Sequence, residues 1–174
     1  MCELGRTSKI KLLLLDVDGV LTDGRIYYDH HGVESKAFDV KDGHGLKLIQ
    51  RAGIQVGIIT GRQSPVVDIR ARELGIDLVF QGAKDKLIPY RQILAELQIQ
   101  DDEVAYIGDD IVDLPILRRV GFAATVADGV PEVLSAVHYV AAKCGGRGAV
   151  REICDLILKE SGRWLQVTEK YFEG

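Results

Sequence analysis

The segment Asp16-Val17-Asp18-Gly19-Val20-Leu21-Thr22-Asp23 sets two carboxylates two positions apart, directly after the apolar run Lys11–Leu15. If extended backbone persists through them, the side-chain period of two points Asp16 and Asp18 to the same side, and Gly19 lets the chain turn away. Two carboxylates in one pocket repel unless a cation or a shared proton compensates. Mg2+, which takes oxygen ligands, does this and also draws in a phosphate dianion. A surface turn alone would not need these acids, because Gly19 already supplies it.

A second group, Gly108-Asp109-Asp110-Ile111-Val112-Asp113, follows the apolar run Val104–Ile107 in the same layout. Asp109 is the expected metal ligand there, and Asp113, four positions on, is placed to orient a cation. For Asp110 two readings stand side by side, the N-cap of a helix over Ile111–Val120 and a catalytic role. Between the acidic groups lie Thr60, in Ile58-Ile59-Thr60-Gly61-Arg62, and Lys86, in Gly82-Ala83-Lys84-Asp85-Lys86-Leu87. A hydroxyl and an ammonium hold phosphoryl oxygens and neutralise charge as a leaving oxygen departs. A Thr before Gly or a Lys before a helix says little alone; the combination with the two acidic groups is specific.

Positioning such groups requires strands that end where they begin. Short apolar runs at Ile10–Leu15, Gln55–Ile59, Leu78–Phe80, Val104–Ile107 and Ala123–Val126 alternate with helix-period segments. That alternation predicts an α/β fold, a Rossmann-like parallel sheet flanked by helices, with chemistry beyond the carboxyl ends of the strands. Leu87, Tyr90, Leu94 and Leu97 mark one helix face; Val66, Ile69 and Leu74 mark another, opened by Pro65. Arg25–Tyr28 and Val33–Phe38, joined by Asp29-His30-His31-Gly32, predict a β-hairpin insertion over about residues 24–38. His30 and His31 read as solvated turn residues. At 174 residues the chain is expected to form a single domain, 1–174. The arm over 162–174 carries Trp164, Tyr171 and Phe172 without a strong period, so an ordered arm and a flexible end both stay open.

A formal charge of −4 with interspersed signs offers no basic stripe, so nucleic acid is not an expected partner. Cys2, Cys144 and Cys154 form neither a CxxC nor a His-Cys cluster, which argues against a disulfide framework or a structural zinc site and for a reducing compartment. The start, Met1 to Lys11, is polar, and no apolar stretch approaches the ~20 residues that span a bilayer. A cytoplasmic protein with no membrane partner is expected.

With these residues in view, the chain resembles the haloacid dehalogenase superfamily, whose four motifs match as Asp16-Val17-Asp18-Gly19, Thr60, Lys86 and Gly108-Asp109-Asp110-Ile111-Val112-Asp113. The resemblance covers about residues 10 to 160. It implies a phosphatase in which Asp16 attacks phosphorus, Asp18 serves as general acid and base, and Thr60 and Lys86 complete the catalytic set. Mg2+ would be held by the Asp16 carboxylate, the Asp18 backbone carbonyl and the Asp109 carboxylate. Only 42 positions separate Asp18 from Thr60 and 26 separate Thr60 from Lys86, which leaves no room for the cap domain of many members.

Capless relatives include phosphatases of eight-carbon sugar acids (ulosonate 8-phosphates) in lipopolysaccharide biosynthesis, and the hairpin, Ala37–Gly45 and Cys144–Glu152 are similar to theirs. That resemblance implies a small phosphorylated sugar acid as substrate. Its contacts would be Asp18, a loop of Asp39, Val40, Lys41, Asp42 and Gly43, and Lys47, Arg62, Arg70 and Lys86, the Arg forks suiting a carboxylate. It also implies a homotetramer in which hairpins pack together and neighbours help to close the site. Arg147, in a glycine-rich turn, would either fold over a neighbour's pocket or simply precede the helix Ala149–Leu158. Three rival readings are a nine-carbon ulosonate 9-phosphate phosphatase, a non-catalytic oligomerisation module like those fused to acylneuraminate cytidylyltransferases, and a signalling receiver domain. The intact Asp16, Asp18, Thr60, Lys86 and Asp109 disfavour the second, and the late Gly108-Asp109-Asp110 cluster, where a receiver would carry a later lone Asp as its phosphorylated residue, disfavours the third.

Overall fold

The computed structural model describes residues 5–173. Cys2 and the first residues of the polar start lie outside them. Six parallel strands form one sheet in the order β5-β4-β1-β6-β7-β8, where β1 is Leu12–Leu15, β4 Gln55–Ile59, β5 Leu78–Phe80, β6 Val104–Ile107, β7 Phe122–Thr125 and β8 Tyr139–Val140. A separate antiparallel pair, β2 (Tyr27–Tyr28) and β3 (Glu34–Ser35), makes the hairpin.

β1 is apolar throughout because both of its faces are covered. Leu13 and Leu15 join one core with Leu46, Leu48, Ile49, Val67, Leu74 and Ile153, and Leu12 and Leu14 join the other with Tyr90, Ile93, Ile116 and Leu117. The first core lies under the helices α1 (Val40–Arg51), α2 (Pro65–Leu74) and α6 (Ala149–Glu160). The second lies under α3 (Leu87–Leu97) and the short α4 (Leu114–Leu117). Two further short helices, α5 (Pro131–Leu134) and α7 (Trp164–Thr168), complete the chain. Register places Leu15 beside Ile58 on one side and Ile107 on the other, so the ends of β1, β4 and β6 arrive side by side.

Several expected boundaries move. The segment Asp39–Gly43, expected as a loop, is the start of α1: Asp39 is its N-cap and accepts from the Lys41 N–H at 2.7 Å. Glycines inside α1 hide it from propensity, and both sit where neighbouring side chains and backbone come close. A Cβ at Gly43 would lie 2.4 Å from the Arg70 guanidinium, and one at Gly45 3.1 Å from the Arg151 backbone. The expected helix over Ile111–Val120 is a 3-10 turn, Ile111–Asp113, followed by α4. The hairpin strands have two residues each where four and six were expected. Asp29 holds the turn between them, its Oδ1 accepting the N–H groups of His31 and Val33.

The arm is ordered: α7 and a 3-10 turn fold back, Arg51 donates to the Tyr171 hydroxyl, and Arg163 donates to the Ile10 carbonyl. Cys144 and Cys154 are free thiols, and no helix among the described residues is long and apolar enough to cross a membrane.

Candidate active site

Asp16 continues the β1 ladder by one residue, its N–H donating to the Ile107 carbonyl at 3.0 Å. Thr60 does the same beyond β4, donating to the Phe80 carbonyl. Asp109 stands two residues past β6. These ends open into a cavity of about 420 Å³ that Asp16, Asp18, Thr60, Arg62, Lys86 and Asp109 all line.

The floor is an alternating set of charges. Lys86, 3% exposed, bridges Asp16 Oδ2 at 2.8 Å and Asp113 Oδ1 at 2.7 Å. The Tyr106 hydroxyl donates to the same Asp113 oxygen at 2.6 Å, and Asp113 Oδ2 accepts the N–H groups of Asp109 and Asp110. Asp113 is thus the residue that orients a cation, and the cation is the Lys86 ammonium. Gly108 is needed for this packing, because a Cβ there would lie 2.4 Å from the Asp113 carboxyl carbon. Asp110 is an N-cap, its Oδ1 accepting the Ile111 N–H at 2.7 Å.

Burial pushes the Asp16 carboxyl up to about 6, with Lys86 opposing and Asp113 adding to the rise. Burial, then repulsion from Asp16 and Asp113, pushes Asp109 up to about 7. Burial alone would lower the Lys86 ammonium, but Asp16 and Asp113 outweigh it and hold its pKa above the usual value. Three acids around one base leave the floor short of positive charge. Oxygens of Asp16, Asp109 and Asp113 lie within 4.8 Å of one another, and Asp109 Oδ1 is buried with no hydrogen-bond partner. At Gly19, with φ +87°, a Cβ would lie 2.0 Å from Asp109 Oδ2, so glycine keeps that space open. Both Asp113 oxygens carry donors, and so do both Asp16 oxygens, Oδ1 from the Val17 N–H at 2.6 Å and Oδ2 from Lys86, whereas Asp109 Oδ1 stands without one. An all-oxygen, anionic set of this kind suits Mg2+.

Asp18 faces the hairpin. Its Oδ1 lies 2.5 Å from Lys36 Nζ, and the Lys36 side chain is fully enclosed. Lys36 also reaches Glu34 Oε1 at 3.0 Å, Glu34 Oε2 meets Arg62 at 2.6 Å, and Arg62 Nε stands 3.8 Å from Asp18 Oδ2. Arg62 further donates to the Tyr28 hydroxyl. The Arg62 and Lys36 cations outweigh partial burial and hold the Glu34 carboxyl down at about 2. Sequence reasoning missed Lys36 and Glu34. The available signal was their spacing of two within the expected strand Val33–Phe38, which would put both side chains on one face.

Of the other expected sugar contacts, none lines this cavity. Asp42 is 1% exposed and accepts the backbone N–H groups of Gly148 and Arg151 at the start of α6. Arg70 lies over the Phe38 ring, near Gly43, and pairs with Glu73. Val40 and Lys41 are exposed at the first turn of α1, and Lys47 lies one turn on, near Gly75. Arg147 is exposed, 3.8 Å from Asp23, on a turn whose Gly145 and Gly146 press against the backbone of Gly19 and Thr22.

A family model described as haloacid dehalogenase-like hydrolase matches residues 43–121. The 3-deoxy-D-manno-octulosonate 8-phosphate phosphatase KdsC of Yersinia pestis is 50% identical over 153 residues, spanning 88% of this chain and 82% of that protein. The chain belongs to the haloacid dehalogenase-like hydrolases. KdsC of Escherichia coli K12 is 45% identical, over 92% of this chain and 85% of its own length. Among solved structures, the Moraxella catarrhalis 3-deoxy-D-manno-octulosonate 8-phosphate phosphatase, crystallised with a magnesium ion, a phosphate ion and a KDO molecule, superposes with a TM-score of 0.94. It is 43% identical, and 97% of each chain is covered. The family's parallel sheet with helices on both faces, expected from the strand pattern, is the fold described above, with Mg2+ as its cofactor.

Proposed function

We propose that this chain hydrolyses 3-deoxy-D-manno-octulosonate 8-phosphate to the free sugar acid and phosphate, through a phosphoryl group carried on Asp16, in lipopolysaccharide biosynthesis. The observation that carries the reading is the buried Asp16 carboxylate, fixed by Lys86 and sharing one cavity with Asp18, Thr60 and Asp109. The identity to KdsC proteins over most of both chains supports the substrate.

In the first step an Asp16 carboxylate oxygen bonds to phosphorus as the bond from phosphorus to the sugar oxygen breaks, and Asp18 gives that oxygen a proton. In the second, Asp18 takes a proton from water whose oxygen bonds to phosphorus, and the bond to Asp16 breaks to free phosphate. Splitting one displacement into two lowers each barrier. Thr60 and the Lys86 ammonium hold phosphoryl oxygens throughout. The Asp16 and Asp109 carboxylates and the Asp18 carbonyl would hold Mg2+, which when bound supplies positive charge for the phosphoryl oxygens. Arg62, 41% exposed at the cavity rim, would receive the sugar carboxylate.

The remaining sugar contacts are a proposal about the assembly. The hairpin exposes Ile26, Tyr27, Tyr28 and Val33 together, and α1 exposes Val40. Covering this apolar surface in a homotetramer would bring Val40, Lys41, Lys47 and Arg70 of one subunit toward a neighbour's cavity. Asp42 and Gly43 are committed within their own subunit and would act by shaping α1. Light scattering at working concentration is expected to give a tetramer, and a monomer would remove this part of the reading. The free thiols of Cys144 and Cys154 support a cytoplasmic enzyme.

Phosphate release from the eight-carbon ester, its nine-carbon analogue and p-nitrophenyl phosphate tests the proposal. The expected result is a kcat/KM for the eight-carbon ester at least ~10-fold above either alternative, lost with a chelator and restored by Mg2+. Preference for the nine-carbon ester would select that substrate, and no hydrolysis of any ester would leave a non-catalytic module.

A further inference from the structure

We propose that Lys36 is a positioning residue for Asp18, holding the carboxylate through which both proton transfers pass; this rests on the acid and base role given to Asp18 above. Lys36 follows β3 directly, in the hairpin, and reaches back eighteen positions to place its ammonium 2.5 Å from Asp18 Oδ1. Its stem is fully enclosed, so the ammonium has no room to swing into solvent. The seat is fixed from the far side too: Glu34 takes the ammonium on one oxygen and Arg62, at 2.6 Å, on the other. Asp18, Glu34, Lys36 and Arg62 thereby close a ring of two acids and two bases. Their charges sum to zero, with the Lys36 side chain enclosed and Arg62 at the exposed rim.

The consequence for Asp18 is asymmetric. One oxygen is tied to Lys36, whereas Arg62 Nε stands 3.8 Å from the other, beyond hydrogen-bond reach. The torsion that turns an aspartate carboxylate is soft. Without a tether Asp18 would share its time among orientations; with Lys36 in place, Oδ2 is presented to the cavity as the oxygen that carries the proton. The hairpin thus contributes a group to the chemistry, independently of any contact between subunits.

Loss of a salt bridge that merely stapled the hairpin would lower stability or assembly and affect all steps alike. A positioning role is read by leaving group. A nitrophenolate departs with little need of a proton, whereas the following hydrolysis of the phosphorylated enzyme needs the base. Rapid mixing of Lys36→Met with p-nitrophenyl phosphate and magnesium is expected to release nitrophenolate in a burst of one per site near the wild-type rate. Turnover should then slow by roughly 30- to 100-fold, the scale of a misplaced catalytic group, with phosphorylated enzyme accumulating. Lys36→Arg should recover part of the loss.

Turnover of Lys36→Met within about twofold of wild type would overturn the inference. So would an equal fall in burst and turnover. Should Lys36→Met fail to fold, Lys36→Arg decides alone: a changed ratio of burst rate to turnover supports the tether and an unchanged ratio overturns it. Wild-type enzyme that hydrolyses neither p-nitrophenyl phosphate nor the eight-carbon ester would instead sink the parent proposal.

Discussion

Asp16→Asn is expected to lose turnover by roughly 10⁴-fold or more while remaining folded, because the change removes the attacking oxygen's charge and leaves the shape nearly unaltered. The fold does not depend on that charge. Asp16 is 6% exposed, and burial makes its ionised form costly enough to push its pKa up to about 6. A group whose folded pKa lies above its unfolded value penalises the native state once the pH exceeds the unfolded value, so without metal a neutral residue relieves repulsion with Asp109 and Asp113. The cost is the lost partner of Lys86, which keeps Asp113 at 2.7 Å. Thermal melts in chelator should therefore place the variant close to wild type, and acid-quenched protein should carry no phosphoryl group. Turnover within about 100-fold of wild type in a folded variant would move the covalent step elsewhere.

Much of this site was legible in the sequence because parallel strands covered on both faces read as short, continuous apolar runs. The ends of three such runs carry Asp16, Thr60 and Asp109, and register alone then brings them together. Lys86 came from residue type and place in the chain, and Asp113 from its spacing to Asp109. Legibility failed where tertiary packing overrides local preference. α1 contains Gly43 and Gly45, which oppose a helix in isolation and lie close against Arg70 and Arg151 in the fold. Asp42 has the residue type of a surface ligand, and only the meeting of α1 with α6 shows its carboxylate spent on two backbone N–H groups. The charged partners of Asp18 were out of reach for a different reason. Glu34 and Lys36 sit in a hairpin, where charged residues are ordinarily solvated, and nothing in the local pattern marks a hairpin that closes onto a strand end.

Lys86→Met is expected to damage stability and turnover together, in contrast to Asp16→Asn. The ammonium is 3% exposed and lies between Asp16 and Asp113, with Asp109 close behind. Methionine nearly fills the volume but leaves three buried acids with no base, and breaking a buried pair in this way costs about 3–5 kcal/mol. At about 2–4 °C per kcal/mol for a chain of this length, the melting temperature in chelator should fall by ~10 °C. Part of the loss should return with Mg2+, whose charge replaces some of the missing ammonium's at Asp16 and Asp109 and which favours the folded state by mass action. Turnover in magnesium should still fall by roughly 10²–10³-fold, the cost of losing one donor to phosphoryl oxygens. The exposed pair Lys9–Asp102, 2.9 Å apart, provides the contrast, because solvent screens both partners and Lys9→Met should melt with wild type. Equal melting of Lys86→Met and Lys9→Met would mean that the acids around Lys86 are held neutral by shared protons, and the ammonium would then not be what fixes Asp16 for attack.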